Sequence, residues 1–203
     1  EDGYKLVESP YLGMEHQSAI AYGNHFKSGY LGYQMSGVDF DYVIIHETGH
    51  EYWGNSVTMK DLADMWIHEA FCTYTEALYV EKRYGYKVME KYIALGSKRI
   101  SNDKPIIGHY HVNEMGSGDM YMKGSAILHV LRKQVDNDSL WFSTLKMIQT
   151  RYALQSVDSE DVYAVFREQI GEWSVSYLKY YLNSAEVPTL LVKKGSKRKE
   201  FVF

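Results

Sequence analysis

The rhythm of hydrophobic and polar positions changes near residue 39. Ahead of it, Tyr4, Leu6 and Val7, then Leu12 and Met14, then Ala19 to Tyr22 fall in short groups punctuated by Gly3, Gly13 and Gly23. That pattern predicts short strands joined by tight turns. Beyond it, Val43, Ile44 and Ile45 lead into a short, half-buried helix, with Asp39 or Asp41 near its cap and Gly54-Asn55 as a stop signal. A second helix is predicted over 62–84, carrying Trp66, Ala70, Tyr74, Ala77 and Val80 and ending at Gly85. Further helices are expected over 86–100, 119–135, 139–152, 159–170 and 173–182, with starts at Asp138 or Ser139 and at Asp158 or Ser159. The segment 102–118 holds Pro105, three glycines, His109 and His111, and reads as a long loop leading into Tyr121.

After Leu182 alternation returns at 187–192 and 199–203, on either side of a basic turn at Gly195-Ser196. The expected architecture is therefore α+β: a small N-terminal sheet region, a mainly helical lobe, and a short C-terminal β-hairpin. An isolated hairpin is barely stable, so the division expected is one catalytic-sized unit over 1–185 and the first strands of a following β-domain over 186–203.

Composition narrows the function classes more than the fold. At 203 residues with 45% hydrophobic content the chain fits one ordinary domain, and a net charge of -4 leaves no footprint for nucleic acid. No apolar run is long enough to predict a membrane span. Nineteen tyrosines favour buried rings and polar-tipped clefts without naming a ligand. Cys72 is the sole cysteine, so no internal disulfide forms and the compartment stays open. The start, Glu1 to Lys5, has neither a basic nor an apolar leader segment, as expected of a processed or excised piece.

Candidate chemistry concentrates between His46 and Glu69. His46-Glu47-Thr48-Gly49-His50 on a helix places two imidazoles one turn apart on one face, where both can reach one metal ion. Glu47 beside them is placed to deprotonate a water that the metal activates. Glu69, in Trp66-Ile67-His68-Glu69-Ala70, can complete a His, His, Glu ligand set with a fourth position left open, the form of a catalytic zinc site. Thr73 and Glu76 fall on the same helical face as Glu69, and either can support a metal-bound histidine or stand in a solvated stripe. His109 and His111 lack a third ligand nearby and read as surface histidines.

Gly13-Met14-Glu15-His16, the His46, Glu47, His50 and Glu69 set, and Tyr121-Met122-Lys123-Gly124 together resemble the aminopeptidase N family of gluzincin zinc metallopeptidases. The resemblance implies a thermolysin-like catalytic domain with one zinc ion held by His46, His50 and Glu69. It implies that Glu47 is the general base and Tyr121 the donor to the oxyanion. Glu15 would bind the free α-amine of a peptide substrate, with Gly13 and Met14 offering strand edge to the peptide. The function so implied is hydrolysis of the N-terminal peptide bond, with flanking domains before and after this chain. An endopeptidase, a leukotriene hydrolase-like dual enzyme and a zinc-stabilised binding module remain as alternatives. Departures from the family pattern are His16 for Asn, Met122 for Glu, Ala70 for Gly and His68 for Asn. None removes a ligand, base or oxyanion donor; His16 and His68 bear on the amine site.

Overall fold

In a computed structural model, residues 3–187 are described throughout, and beyond them only the backbone of 191–194 and 199–202. The turn of the expected C-terminal hairpin lies outside the described residues, and that hairpin is not counted in the fold. The described residues form a mixed α+β unit, with a small N-terminal sheet set against a helical lobe.

Three short strands make the sheet: β1 (Leu6–Glu8), β2 (Gly13–Met14) and β3 (Ile20–Tyr22). Their order is β1-β3-β2, with β1 parallel to β3 at Leu6 opposite Ile20, and β2 antiparallel to β3 at Met14 opposite Ala21. Only β3 is buried along its whole length. Both β2 and β3 meet the first helix, described next.

Helix α1 (Tyr42–Gly49) begins at Asp41, whose Oδ1 accepts from the backbone of Val43 at 3.0 Å and Ile44 at 3.2 Å. Of the two expected caps, Asp41 is therefore the one used, and it satisfies two amides that no helical carbonyl can reach. The same carboxylate accepts from Asn24 at 2.8 Å and from the Tyr22 hydroxyl at the end of β3. One side chain thus caps the helix and fixes it to the sheet. The chain leaves the helix at Gly49, five residues before the Gly54-Asn55 stop signal, through a turn that runs into β4 (Val57–Met59).

Helix α2 (Trp66–Tyr84) is the centre of the lobe and packs against α1, α3 (Tyr86–Ser97) and α4 (Met122–Val135). A 3-10 turn at Leu62–Asp64 occupies the start expected for this helix, because Asp61 caps it and the α-helical ladder begins only after Met65. Trp66, Ile67, Ala70, Phe71, Tyr74, Ala77 and Val80 are all buried along one broad apolar face, while His68, Glu69, Thr73 and Glu76 are buried on the other side of the helix. Each large apolar side chain so buried contributes roughly 1.5–3 kcal/mol. Gly124 of α4 has no Cβ, and one placed there would strike Ala70, so the glycine lets the two helices meet at close range.

The lobe closes with α5 (Asp138–Arg151), β5 (Gln155–Val157), α6 (Ser159–Gln169) and α7 (Glu172–Asn183). Asn137 caps α5, one residue ahead of the expected start, and Asp158 caps α6 in a full capping box with Asp161. Strands β4 and β5 pair in parallel, Val57 opposite Gln155, and were not expected from the sequence. Three residues each are too few for alternation to register.

Candidate metal centre

Helices α1 and α2 cross so that three ligand atoms converge. His46 Nε2 lies 3.1 Å and His50 Nε2 3.6 Å from one oxygen of Glu69, Oε2. All three residues are more than nine-tenths buried. What makes them available is the bonding of the other nitrogens. His46 Nδ1 donates to Glu76 Oε1 at 2.9 Å, and His50 Nδ1 donates to the Trp53 carbonyl at 2.9 Å. Both Nε2 atoms therefore face Glu69, and His46 Nε2 lies within hydrogen-bond distance of its Oε2, so a cation could take the place of a proton between them, the arrangement in which histidines hold metals.

Of the two expected supporting residues, Glu76 supports His46. Thr73 does not; its hydroxyl is buried without a partner. Glu76 in turn accepts from the Tyr30 hydroxyl at 3.0 Å and the Tyr92 hydroxyl at 2.5 Å. Cys72 Sγ lies 3.1 Å from His50 Nδ1. Neither tyrosine nor Cys72 carries a local signal for these roles, since the contacts arise only from the crossing of distant elements.

Glu47 is buried at 7% exposure, and one of its oxygens, Oε2, has no partner. Burial pushes its carboxyl up to about 7; His46 opposes this, and Glu15, Glu69 and Glu76 add to it. The group is held where proton uptake and release near neutrality are both accessible. An orphaned buried carboxylate beside two converging imidazole nitrogens and a further carboxylate is a donor set that fits a divalent cation with an open coordination position.

Tyr121 follows a 3-10 turn at Gly118–Met120 and places its ring beside His46, centroids 6.0 Å apart. Burial, then the charge of Glu69, raises its phenol well above the ordinary range, so the hydroxyl remains protonated and able to donate. The loop ahead of it is anchored by Asp119, which accepts from the backbone of Ser101 at 2.9 Å and Asn102 at 2.6 Å. His111 in that loop lies at the surface, 93% exposed at its side chain, and His129 is packed at 5% exposure.

Glu15 follows β2 and faces His68 of α2, Oε1 lying 3.7 Å from Nδ1. Its burial would raise its pKa, but His68 and then His50 outweigh that and bring the carboxyl down to about 2. The sheet edge comes so close to α1 that a Cβ on Gly13 would run into the carboxylate of Glu47. Met14 is 42% exposed beside it. The structure thus gathers Gly13, Met14, Glu15, His46, Glu47, His50, Glu69 and Tyr121 around one centre.

Residues 8–181 match the description of the peptidase family M1 domain. Aminopeptidase M1-D of Oryza sativa subsp. japonica is 24% identical over 160 residues, 74% of this chain and 18% of that protein. The chain therefore spans about a fifth of the curated relatives it matches. Among solved structures, an M1 zinc metallopeptidase from Deinococcus radiodurans superposes with a TM-score of 0.74 at 22% identity, covering 92% of this chain and 40% of that one. Leukotriene A4 hydrolase from Saccharomyces cerevisiae gives 0.73 at 16% identity, covering 98% and 33%.

Proposed function

The chain belongs to peptidase family M1, and from that premise we propose that it is the catalytic core of a zinc aminopeptidase, which removes the N-terminal residue of peptides. The observation that carries this reading is the convergence of His46 Nε2, His50 Nε2 and Glu69 beside the unpartnered oxygen of Glu47. His46, His50 and Glu69 would hold one zinc ion. Zinc, when bound, supplies a lowered water pKa and polarises the scissile carbonyl.

The remaining steps belong to side chains. Glu47 takes the proton of the attacking water and hands it to the departing amine, serving in turn as base and acid. Tyr121 donates to the oxygen on which charge develops, a contact typically worth ~3–4 kcal/mol of barrier. Glu15 pairs with the substrate ammonium and so fixes the first peptide bond, and no other, over Glu47. The edge at Gly13 and Met14 offers backbone groups to an extended peptide. Residues 1–185 would form the catalytic unit and 186–203 the start of a following β-domain, with flanking domains completing the cleft. If those domains supply substrate contacts and exclude water, this chain alone binds zinc yet turns over slowly.

The test is metal analysis combined with hydrolysis of a panel of aminoacyl anilides, against Glu47→Gln. One zinc per chain, with activity on free-amine but not N-acetylated substrates, is expected. Absence of zinc binding refutes the reading. Equal cleavage of acetylated substrates moves it to an endopeptidase, and epoxide hydrolysis to a leukotriene hydrolase-like enzyme, for which the fold likeness to yeast leukotriene A4 hydrolase speaks.

A further inference from the structure

A second convergence lies next to the first. Glu15, His50 and His68 also bring ligand atoms within 4.8 Å of one another. Hydrogen bonding decides what that cluster can be. The backbone N–H of Met59 donates to His68 Nε2 at 2.9 Å, so Nε2 spends its lone pair there and the proton of a neutral ring sits on Nδ1. Neither nitrogen has a lone pair left for a metal. His68 therefore presents an N–H, and that N–H faces Glu15: Nδ1 lies 3.7 Å from Glu15 Oε1, with no other partner and with the side chain 6% exposed.

Resting on the aminopeptidase reading, we propose that His68 is a positioning residue for the substrate's α-ammonium, its Nδ1–H orienting the carboxylate of Glu15. Three features build the contact. Met59 in β4 fixes the tautomer through a backbone donor that no side-chain motion removes. Helix α2 fixes the ring position, since His68 stands one residue before Glu69. Gly54 leaves room for the ring: a Cβ there would come within 3.4 Å of His68 Nδ1 and 3.3 Å of His50 Nδ1, at a φ of +144° that side chains rarely adopt. The separation exceeds hydrogen-bond length, as contacts of this kind often do before substrate binds, and the ammonium draws the carboxylate into place.

The geometry separates two substitutions of similar size. Asn places its amide N–H where Nδ1–H stands; Gln places its amide where Nε2 stands and leaves the Nδ1 position empty. His68→Gln is expected to raise KM for aminoacyl anilides roughly tenfold, the weight of one hydrogen bond to a charged group, with kcat nearly unchanged. Its discrimination between free-amine and N-acetylated substrates falls by the same factor. His68→Asn restores both, and both variants keep the zinc content of the parent chain. Long-range 1H–15N correlation of the His68 ring supplies a readout independent of turnover: the Nδ1–H tautomer is expected, with a resonance that shifts in Glu15→Gln. An Nε2–H tautomer, or a His68→Gln enzyme with the parent KM, overturns the proposal. An inactive parent chain whose His68 shows the expected tautomer and response to Glu15→Gln counts against the aminopeptidase reading and leaves the pairing of His68 with Glu15 standing.

Discussion

At the floor of this centre, His46, His50 and Glu69 sit on two crossing helices and are each more than nine-tenths buried. On the rim, Glu15 follows a strand of two residues whose Met14 is 42% exposed. The floor is over-determined: Glu76, itself held by Tyr30 and Tyr92, fixes one imidazole, and the Trp53 carbonyl fixes the other. The rim is held through few attachments, chiefly Tyr22 and Asn24 on the α1 cap at Asp41 and the Tyr4 hydroxyl on Thr48 at 2.7 Å. A metal centre needs fixed ligands, whereas an edge that receives peptides must stay open to them. Damage to the floor should therefore cost chemistry or metal, and damage to the rim should cost substrate selection or alignment.

The severest test of that division is Glu47→Gln. It keeps the side chain's shape but removes the proposed base, and kcat is expected to fall by about 10²–10⁴ at unchanged zinc content, with KM for aminoacyl anilides within a few-fold of the parent. A parallel rise in KM would show that Glu47 belongs to substrate binding as much as to chemistry.

Glu15 and Glu47 answer pH in opposite senses, which sharpens the contrast. Glu15 is depressed to about 2, by His68 and His50 acting against its burial, so its ionised form stabilises the fold above its ordinary value of 4.5, and that stability is lost as pH falls through about 2. Glu47 is raised to about 7 by burial, so its contribution is present below 4.5 and lost as pH rises through 7. Denaturant melts of the metal-free chain should show that Glu15→Gln flattens the acid-side dependence between pH 4.5 and 2, by an amount that solvent screening at this partly exposed carboxyl holds to about 1–2 kcal/mol. An unchanged acid limb would mean that the rim carboxylate is not electrostatically coupled to the histidines beneath it.

Glu76→Ala leaves every ligand in place and removes only the partner of His46 Nδ1 and of two tyrosine hydroxyls. Zinc affinity is expected to fall roughly 10–100-fold, measured by competition with a chelator, while kcat of the zinc-saturated chain changes less. Unchanged affinity would show that α1 alone orients the imidazole.

How far this was legible in the sequence follows the same line between floor and rim. Helical periodicity carried the floor: His46 and His50 lie one turn apart whatever else the chain does, and Glu76 shares a face with Glu69. What periodicity left open was the choice between Glu76 and Thr73, because a shared face says nothing of which side chain reaches across to another helix. Tyr30 and Tyr92 stayed hidden among nineteen tyrosines, one of them 46 residues from its partner. Strands β4 and β5 are three residues long and pair across almost a hundred residues, beyond any local pattern. The helix boundaries shifted where 3-10 turns at Leu62–Asp64 and Gly118–Met120 took up the expected first turns. The roles of Glu15 and Tyr121 came from the resemblance of their motifs, and no period would have joined them to His46.

Gly13 is where rim and floor touch, and it yields the smallest and most specific effect. Its absent side chain leaves room for the Glu47 carboxylate, and a Cβ there would also stand 3.0 Å from Val43 Cγ1. The carboxylate is the mobile end of a side chain, so Gly13→Ala can be absorbed by displacing it, and the fold should lose no more than about 1 kcal/mol. The proposed base would then be misaligned, and kcat should drop about tenfold while KM for free-amine substrates holds. Loss of stability without loss of kcat would locate the clash in Val43 and α1 instead. If kcat and the acetylated-substrate ratio fall together, Gly13 positions the peptide as well as the base, and the two sides of the centre are coupled through this one residue.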